Sequence, residues 1–79
     1  MRITIIGLGL IGGSAALAWK QAHAEGRFPG GSLSITAVDT NPATLSLALE
    51  RGIADRVTPS IVEGVLDADL VLLAVPVLA

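Results

Sequence analysis

A parallel α/β layer, the N-terminal half of a doubly wound sheet with probable strand order 3-2-1-4, is the fold class this chain predicts. Three observations lead there. Short β-branched or aliphatic runs alternate with helix-like segments along the 79 residues. The runs are continuously apolar rather than alternating, as strands covered on both faces are. The helix-like segments carry their own start and stop signals. Strands linked in this way through right-handed crossovers lie parallel to one another.

The elements follow in order. Residues 3–6 (Ile3-Thr4-Ile5-Ile6) are β-branched throughout and stopped by Gly7, which reads as a buried strand. Residues 11–25 form a helix rich in Ala and Leu, closed by Gly26. Residues 33–38 (LSITAV) are a second strand. Asn41 as N-cap, Pro42 at the first helical position and Gly52 after the last turn frame a second helix. Leu45, Ala48 and Leu49 are expected to share its buried face. Residues 56–58 read as a short edge strand. Ser60-Ile61-Val62-Glu63 matches a capping box, in which the Ser hydroxyl and the Glu carboxylate each answer an orphan backbone N–H. It opens a short third helix ending near Asp67. Residues 70–75 (LVLLAV) are the last buried strand, ended by Pro76. There is no internal repeat. A doubly wound domain normally continues past its fourth strand, so residues 1–79 are expected to be part of a longer polypeptide.

Composition removes several function classes. Hydrophobic residues make up 52% and charged residues 15%, too apolar for a disordered chain. The length excludes a two-domain enzyme within these residues. The net charge of −2 leaves no basic surplus for a nucleic-acid backbone, and Trp19 and Phe28 are too few for base stacking. Cysteine is absent, and His23 is the single histidine, so no metal site is expected. Residues 3–19 are uncharged after Arg2, and Ala16-Leu17-Ala18 resembles a cleavage site, which raises a secretory signal as an alternative. Gly7, Gly9, Gly12 and Gly13 interrupt that stretch and weaken it as a helix. They also make it a poor membrane span, which needs about 20 apolar residues. The expectation is a cytoplasmic protein with neither nucleic acid nor membrane as partner.

The chemistry lies in Gly7-Leu8-Gly9-Leu10-Ile11-Gly12, a G-x-G-x-x-G string. Alone the string is weak; following a buried strand and opening a helix, it has a mechanism. Gly7 permits the tight turn, Gly9 lets a pyrophosphate approach the backbone, and Gly12 lets the helix pack on the strand. The helix N-terminus then offers free N–H groups and a partial positive charge to the anion. Asp39, ending the second strand, is placed to accept hydrogen bonds from the adenosine ribose. It lies 27 positions after Gly12, against about 20 in the usual form. The excess matches the loop at residues 26–32, at the far end of the sheet. A carboxylate with no arginine after it also favours NAD over NADP. Ser14 is placed either to touch a phosphate oxygen or to bond a nearby carbonyl. Val75 and Pro76 end the fourth strand at the switch point, where they either contact the nicotinamide side or simply terminate the strand. His23, in the last turns of the first helix, is roughly 15–20 Å from its N-terminus at 1.5 Å per residue and so reads as solvated or as complementing the helix dipole. Trp19 reads as packing or interface rather than cofactor stacking, and Asp67 and Asp69 as solvated.

The segments GLGLIGGS, VDTNP, LALERGIAD and DADLVLLAVPV resemble the N-terminal half of the nucleotide domain of prephenate dehydrogenases, a family that includes arogenate and cyclohexadienyl dehydrogenases. The resemblance spans nearly the whole chain. Its most specific element is Gly13-Ser14 after the third motif glycine. It implies a Rossmann-type fold and NAD as cofactor. It implies oxidative decarboxylation of prephenate to 4-hydroxyphenylpyruvate, in tyrosine biosynthesis, by the intact polypeptide. By the same resemblance, Gly7, Gly9 and Gly12 hold the pyrophosphate and Asp39 the ribose. The catalytic histidine, the substrate-binding arginines and a helical domain making a homodimer would lie beyond residue 79. No catalytic residue is therefore expected within this chain. Two other readings stand beside it. One is a nicotinamide dehydrogenase of the 3-hydroxyisobutyrate or 6-phosphogluconate type, whose openings commonly carry methionine where this chain has Ile11. The other is a non-catalytic NAD-sensing module.

Overall fold

The computed structural model describes residues 1–27 and 31–74, those at 10 and 11 by their backbone alone. In chain order these form β1 (Arg2–Ile6), α1 (Leu10–Ala24), β2 (Ser34–Val38), α2 (Pro42–Glu50), β3 (Arg56–Thr58), α3 (Ile61–Val65) and β4 (Leu70–Leu73). The strands make one parallel sheet in the order β3-β2-β1-β4, the order expected from the sequence.

The register sorts side chains onto two faces. Ile3 pairs with Ile35 and Leu70, and Ile5 with Ala37 and Leu72. All of these but Leu70, with Val57 of β3, form one core with Ala16 of α1 and Leu45 and Ala48 of α2. Thr4, Val38 and Thr58 look the other way, toward α3. There α3 comes so close that a Cβ on Gly64 would lie 2.3 Å from Val38 Cγ2. Thr4 is the buried polar residue of β1, and its hydroxyl donates to the Gly64 carbonyl. A buried hydroxyl with a partner costs little; without one it would cost on the order of 1–3 kcal/mol.

Local signals explain most boundaries, and four of them act differently from their sequence reading. Asn41 caps α2 as expected, its side-chain oxygen accepting from the N–H groups of Ala43 and Thr44. Leu49, however, is 48% exposed and leaves the buried face to Leu45 and Ala48. The three-residue β3 is too short to cover a wider stripe of α2. Only half of the capping box at α3 forms. Ser60 Oγ accepts from Glu63 N–H, but the Glu63 carboxylate takes the Thr58 hydroxyl, and Ser60 N–H donates to that same hydroxyl. Thr58, at the end of β3, stands nearer and intercepts both groups. The second strand begins at Ser34 rather than Leu33. Finally, β4 is only partly enclosed: Leu72 packs against the core, but Leu70, Val71 and Leu73 are exposed on a strand that forms an edge of the sheet.

Candidate functional site: the glycine turn and Asp39

The carboxyl ends of β1, β2 and β4 meet at one place. Gly7 N–H donates to the Val38 carbonyl at 2.8 Å, and Ala74 N–H to the Ile6 carbonyl at 2.8 Å, so the turn after β1 is fastened to both neighbouring strands. Gly7 has φ +83°, a conformation that penalises any residue with a Cβ. The chain then passes through Leu8, buried in the core, and Gly9, exposed, into α1. Gly12, one turn into α1, faces β1 and β4. A Cβ there would lie 2.7 Å from the Gly7 carbonyl oxygen, 3.0 Å from Ile5 Cγ2 and 3.4 Å from Ala74 Cβ. Gly9 is the opposite case, with nothing within 4 Å of a Cβ built on it. The turn is therefore closed on its core side and open over Gly9.

The N-terminus of α1 also lacks what the other helices have. Asn41 and Ser60 give α2 and α3 side-chain caps, whereas Gly9 gives α1 none, and no acidic residue occupies its first turn. Its first N–H groups have no intrahelical acceptor, and the helix dipole is unopposed there. Ser14 is exposed on the same end of the helix. An anion laid over Gly9 would meet donors and no carboxylate of α1 itself.

Asp39 stands beside this opening at the end of β2, half-buried. Its Oδ2 accepts from Leu8 N–H at 3.1 Å and its Oδ1 from Asn41 N–H at 3.0 Å. The carboxylate that sequence reasoning paired with the glycine motif is thus hydrogen-bonded to the motif itself. Leu8 contributes differently from the glycines: its side chain packs in the core and its N–H holds Asp39. Val75 and Pro76 lie outside the described residues.

The tempting residues elsewhere stay away from this site. His23 is in the last turn of α1, at the other end of the helix, with Nε2 2.9 Å from the Gly31 carbonyl. It is half-buried against its own loop rather than simply solvated. Asp67 and Asp69 are exposed, but both engage Arg2. Asp69 accepts from Arg2 N–H at 2.7 Å, and Asp67 pairs with the guanidinium at 3.7 Å, tying the N-terminal end of β1 to that of β4. Trp19 packs against the core as expected. Sequence reasoning passed over Asp55, whose carboxylate joins Lys20 of α1 to Ile35 N–H of β2. Among the described residues no group of acidic residues or histidine is arranged to hold a metal, and no helix is long and apolar enough to cross a membrane.

A family model described as prephenate dehydrogenase, nucleotide-binding domain, matches residues 25–79, more than half of the chain. The chain belongs to this family. Its prephenate dehydrogenase relative in Lactococcus lactis is 41% identical over 76 residues, covering 96% of the chain and 19% of the relative. That of Bacillus subtilis is 39% identical over 75 residues, covering 95% and 18%. A cyclohexadienyl dehydrogenase of Zymomonas mobilis is 40% identical over 77 residues, covering 98% and 24%. The crystal structure of prephenate dehydrogenase from A. aeolicus, in complex with hydroxyphenyl propionate and NAD+, superposes with a TM-score of 0.77 at 30% identity. It is matched over 96% of this chain and 24% of its own. This family member thus spans less than a quarter of its curated relatives' length.

Proposed function

We propose that residues 1–79 are the cofactor-binding N-terminal part of an NAD-dependent prephenate dehydrogenase. The intact enzyme would oxidatively decarboxylate prephenate to 4-hydroxyphenylpyruvate, a step of tyrosine synthesis. The observation that carries the cofactor reading is the open backbone at Gly9 beside a carboxylate bonded to Leu8 N–H. A dinucleotide needs both: a place where its pyrophosphate meets backbone donors without a side chain in the way, and an acceptor for its ribose hydroxyls. The residues fit the group. The α1 N-terminus, reached through Gly7, Leu8, Gly9, Leu10, Ile11 and Gly12, would hold the pyrophosphate, with Ser14 at its edge. Asp39 would hold the adenosine ribose, and Val75 and Pro76 would lie toward the nicotinamide. Bound there, NAD would supply the hydride acceptor. The chain's own contribution is binding, orientation and selection of the unphosphorylated ribose. The relatives' names, and the NAD+ in the A. aeolicus structure, support the same reading. Proton removal and recognition of the small carboxylate substrate would fall to residues of the longer polypeptide.

The test is calorimetric binding of NAD and NADP to the intact polypeptide and its Asp39→Asn variant, with NADH formation from prephenate as the activity readout. Removing the charge should weaken NAD by about 1.5–3 kcal/mol, tenfold or more in affinity, and relieve the rejection of NADP. An unchanged ratio of the two affinities would overturn the role of Asp39. Absence of prephenate-dependent NADH formation would overturn the substrate.

A further inference from the structure

We infer that Asn41 is a positioning residue for the Asp39 carboxylate, and through it sets the preference for NAD over NADP; this rests on the reading of Asp39 just given. Two side-chain turns follow each other at the end of β2. Asp39 Oδ1 accepts from Asn41 N–H at 3.0 Å, two residues on. Asn41 Oδ1 in turn accepts from Ala43 N–H at 2.9 Å and Thr44 N–H at 3.4 Å. The second turn holds Asn41 at φ −90°, ψ 111°, the extended conformation that aims its own N–H back at Asp39. Pro42 reinforces it, since a residue before proline is driven to extended backbone.

The carboxylate is thereby gripped from two sides. Oδ2 is held by Leu8 N–H of the glycine turn, and Oδ1 by Asn41 N–H, which the α2 cap fixes. A carboxylate held through one oxygen alone can swing about the Cα–Cβ and Cβ–Cγ bonds. Held through both, it presents its remaining lone pairs in one direction. Ribose selection needs that fixity: two neighbouring hydroxyls must find two oxygens, and a 2′-phosphate must meet a charge that cannot turn away. Asn41 acts here through its backbone N–H and its cap, and it is exposed, so its replacement leaves the core unaltered.

The experiment compares Asn41→Ala, which deletes the cap acceptor, with Asn41→Ser, which keeps one, and with Ser60→Ala, which deletes the α3 cap, a side chain bonded to neither oxygen of Asp39. Calorimetry with NAD and NADP on the intact polypeptide gives the affinity ratio. Amide exchange of Leu8 and Asn41 in the free protein gives a readout independent of cofactor. Asn41→Ala should raise the NAD dissociation constant about five- to tenfold and lower the NAD-to-NADP ratio to match, with faster exchange at both amides. Asn41→Ser should stay within about twofold of the parent, since serine caps nearly as well as asparagine. Ser60→Ala should lower the melting temperature without moving the ratio. Should Asn41→Ala leave the ratio unchanged while Asp39→Asn shifts it, the positioning role fails and the ribose role stands. Should Asp39→Asn leave it unchanged as well, both fail. A fall in the ratio with Ser60→Ala equal to that with Asn41→Ala would reduce Asn41 to a generic stabiliser and overturn the inference.

Discussion

A methyl group added at Gly12 would meet the Gly7 carbonyl oxygen at 2.7 Å and Ile5 Cγ2 at 3.0 Å, whereas one added at Gly9 would meet nothing within 4 Å. The two glycines of one motif therefore fail differently. Gly12→Ala presses its methyl against the Gly7 backbone and should destabilise the domain by about 1–3 kcal/mol, as overpacked core positions do. Gly9→Ala meets no neighbouring atom and should destabilise the domain less than Gly12→Ala, yet raise the NAD dissociation constant by narrowing the proposed path of the pyrophosphate. Melting curves and calorimetry on the pair check this; equal NAD affinity in Gly9→Ala would make that glycine a turn residue only. At this scale the motif residues and Asp39 were legible as neighbours because each follows a strand of one parallel sheet, and adjacent strands bring their carboxyl ends together. Gly64 and Thr4 were not. Gly64 inside so short a helix was a usable signal of close approach, but the Thr4 hydroxyl that meets it lies 60 positions away in sequence.

The elements are tied together at the end of the sheet opposite the glycine turn, and one pH-dependent contact lies there. Lys20 of α1 reaches Asp55, which precedes β3, at 3.0 Å, and Asp55 also accepts from Ile35 N–H at the start of β2 at 2.8 Å. Partial burial pushes the Asp55 carboxyl upward, but the Ile35 N–H and the hydrogen bond and charge of Lys20 together hold it below the usual aspartate value. The folded state thus binds this proton less readily than the unfolded chain. The clasp contributes fully above the ordinary aspartate value of about 3.9 and is lost as pH falls through the lowered folded value. Both partners remain partly in water, so the contribution is small, about 0.2–1 kcal/mol. The stability of Asp55→Asn should be lower than wild type at pH 7 and converge on it in acid. Melting temperatures of the intact polypeptide across that range check it, and a constant gap would assign the difference to packing. Helix starts and stops were legible at this scale, since caps are written in adjacent residues. The rerouting of Glu63 from Ser60 N–H to Thr58 was not, because it depends on where the end of β3 stands.

For the whole molecule the informative side of the sheet is β4. Strand order was readable from sequence because right-handed crossovers leave few ways to stack alternating strands and helices. What that order implies for exposure needed the structure. Leu70 and Val71 are 44% and 43% exposed and Leu73 is 65% exposed, while the paired β1 beside them is buried at Ile3, Thr4 and Ile5. An aliphatic strand with one edge unpaired offers backbone donors and acceptors to any other strand, and apolar side chains stabilise the encounter. No described lysine or proline interrupts β4, the usual devices that blunt an edge. Residues 1–79 expressed by themselves should therefore self-associate, and should form no NADH from NAD and prephenate. A polypeptide that supplies a strand beside β4 and a helix over its exposed face should be markedly more soluble. Replacing Val71, which points to the same side as Thr4, by lysine should slow association of the 79-residue chain without restoring activity, since it adds charge to the edge and nothing to the site. Light scattering against concentration separates the cases. A monodisperse, cooperatively melting 79-residue monomer would show that the exposed edge of β4 is tolerated as it stands, and that the glycine turn and Asp39 belong to a domain able to stand without further strands.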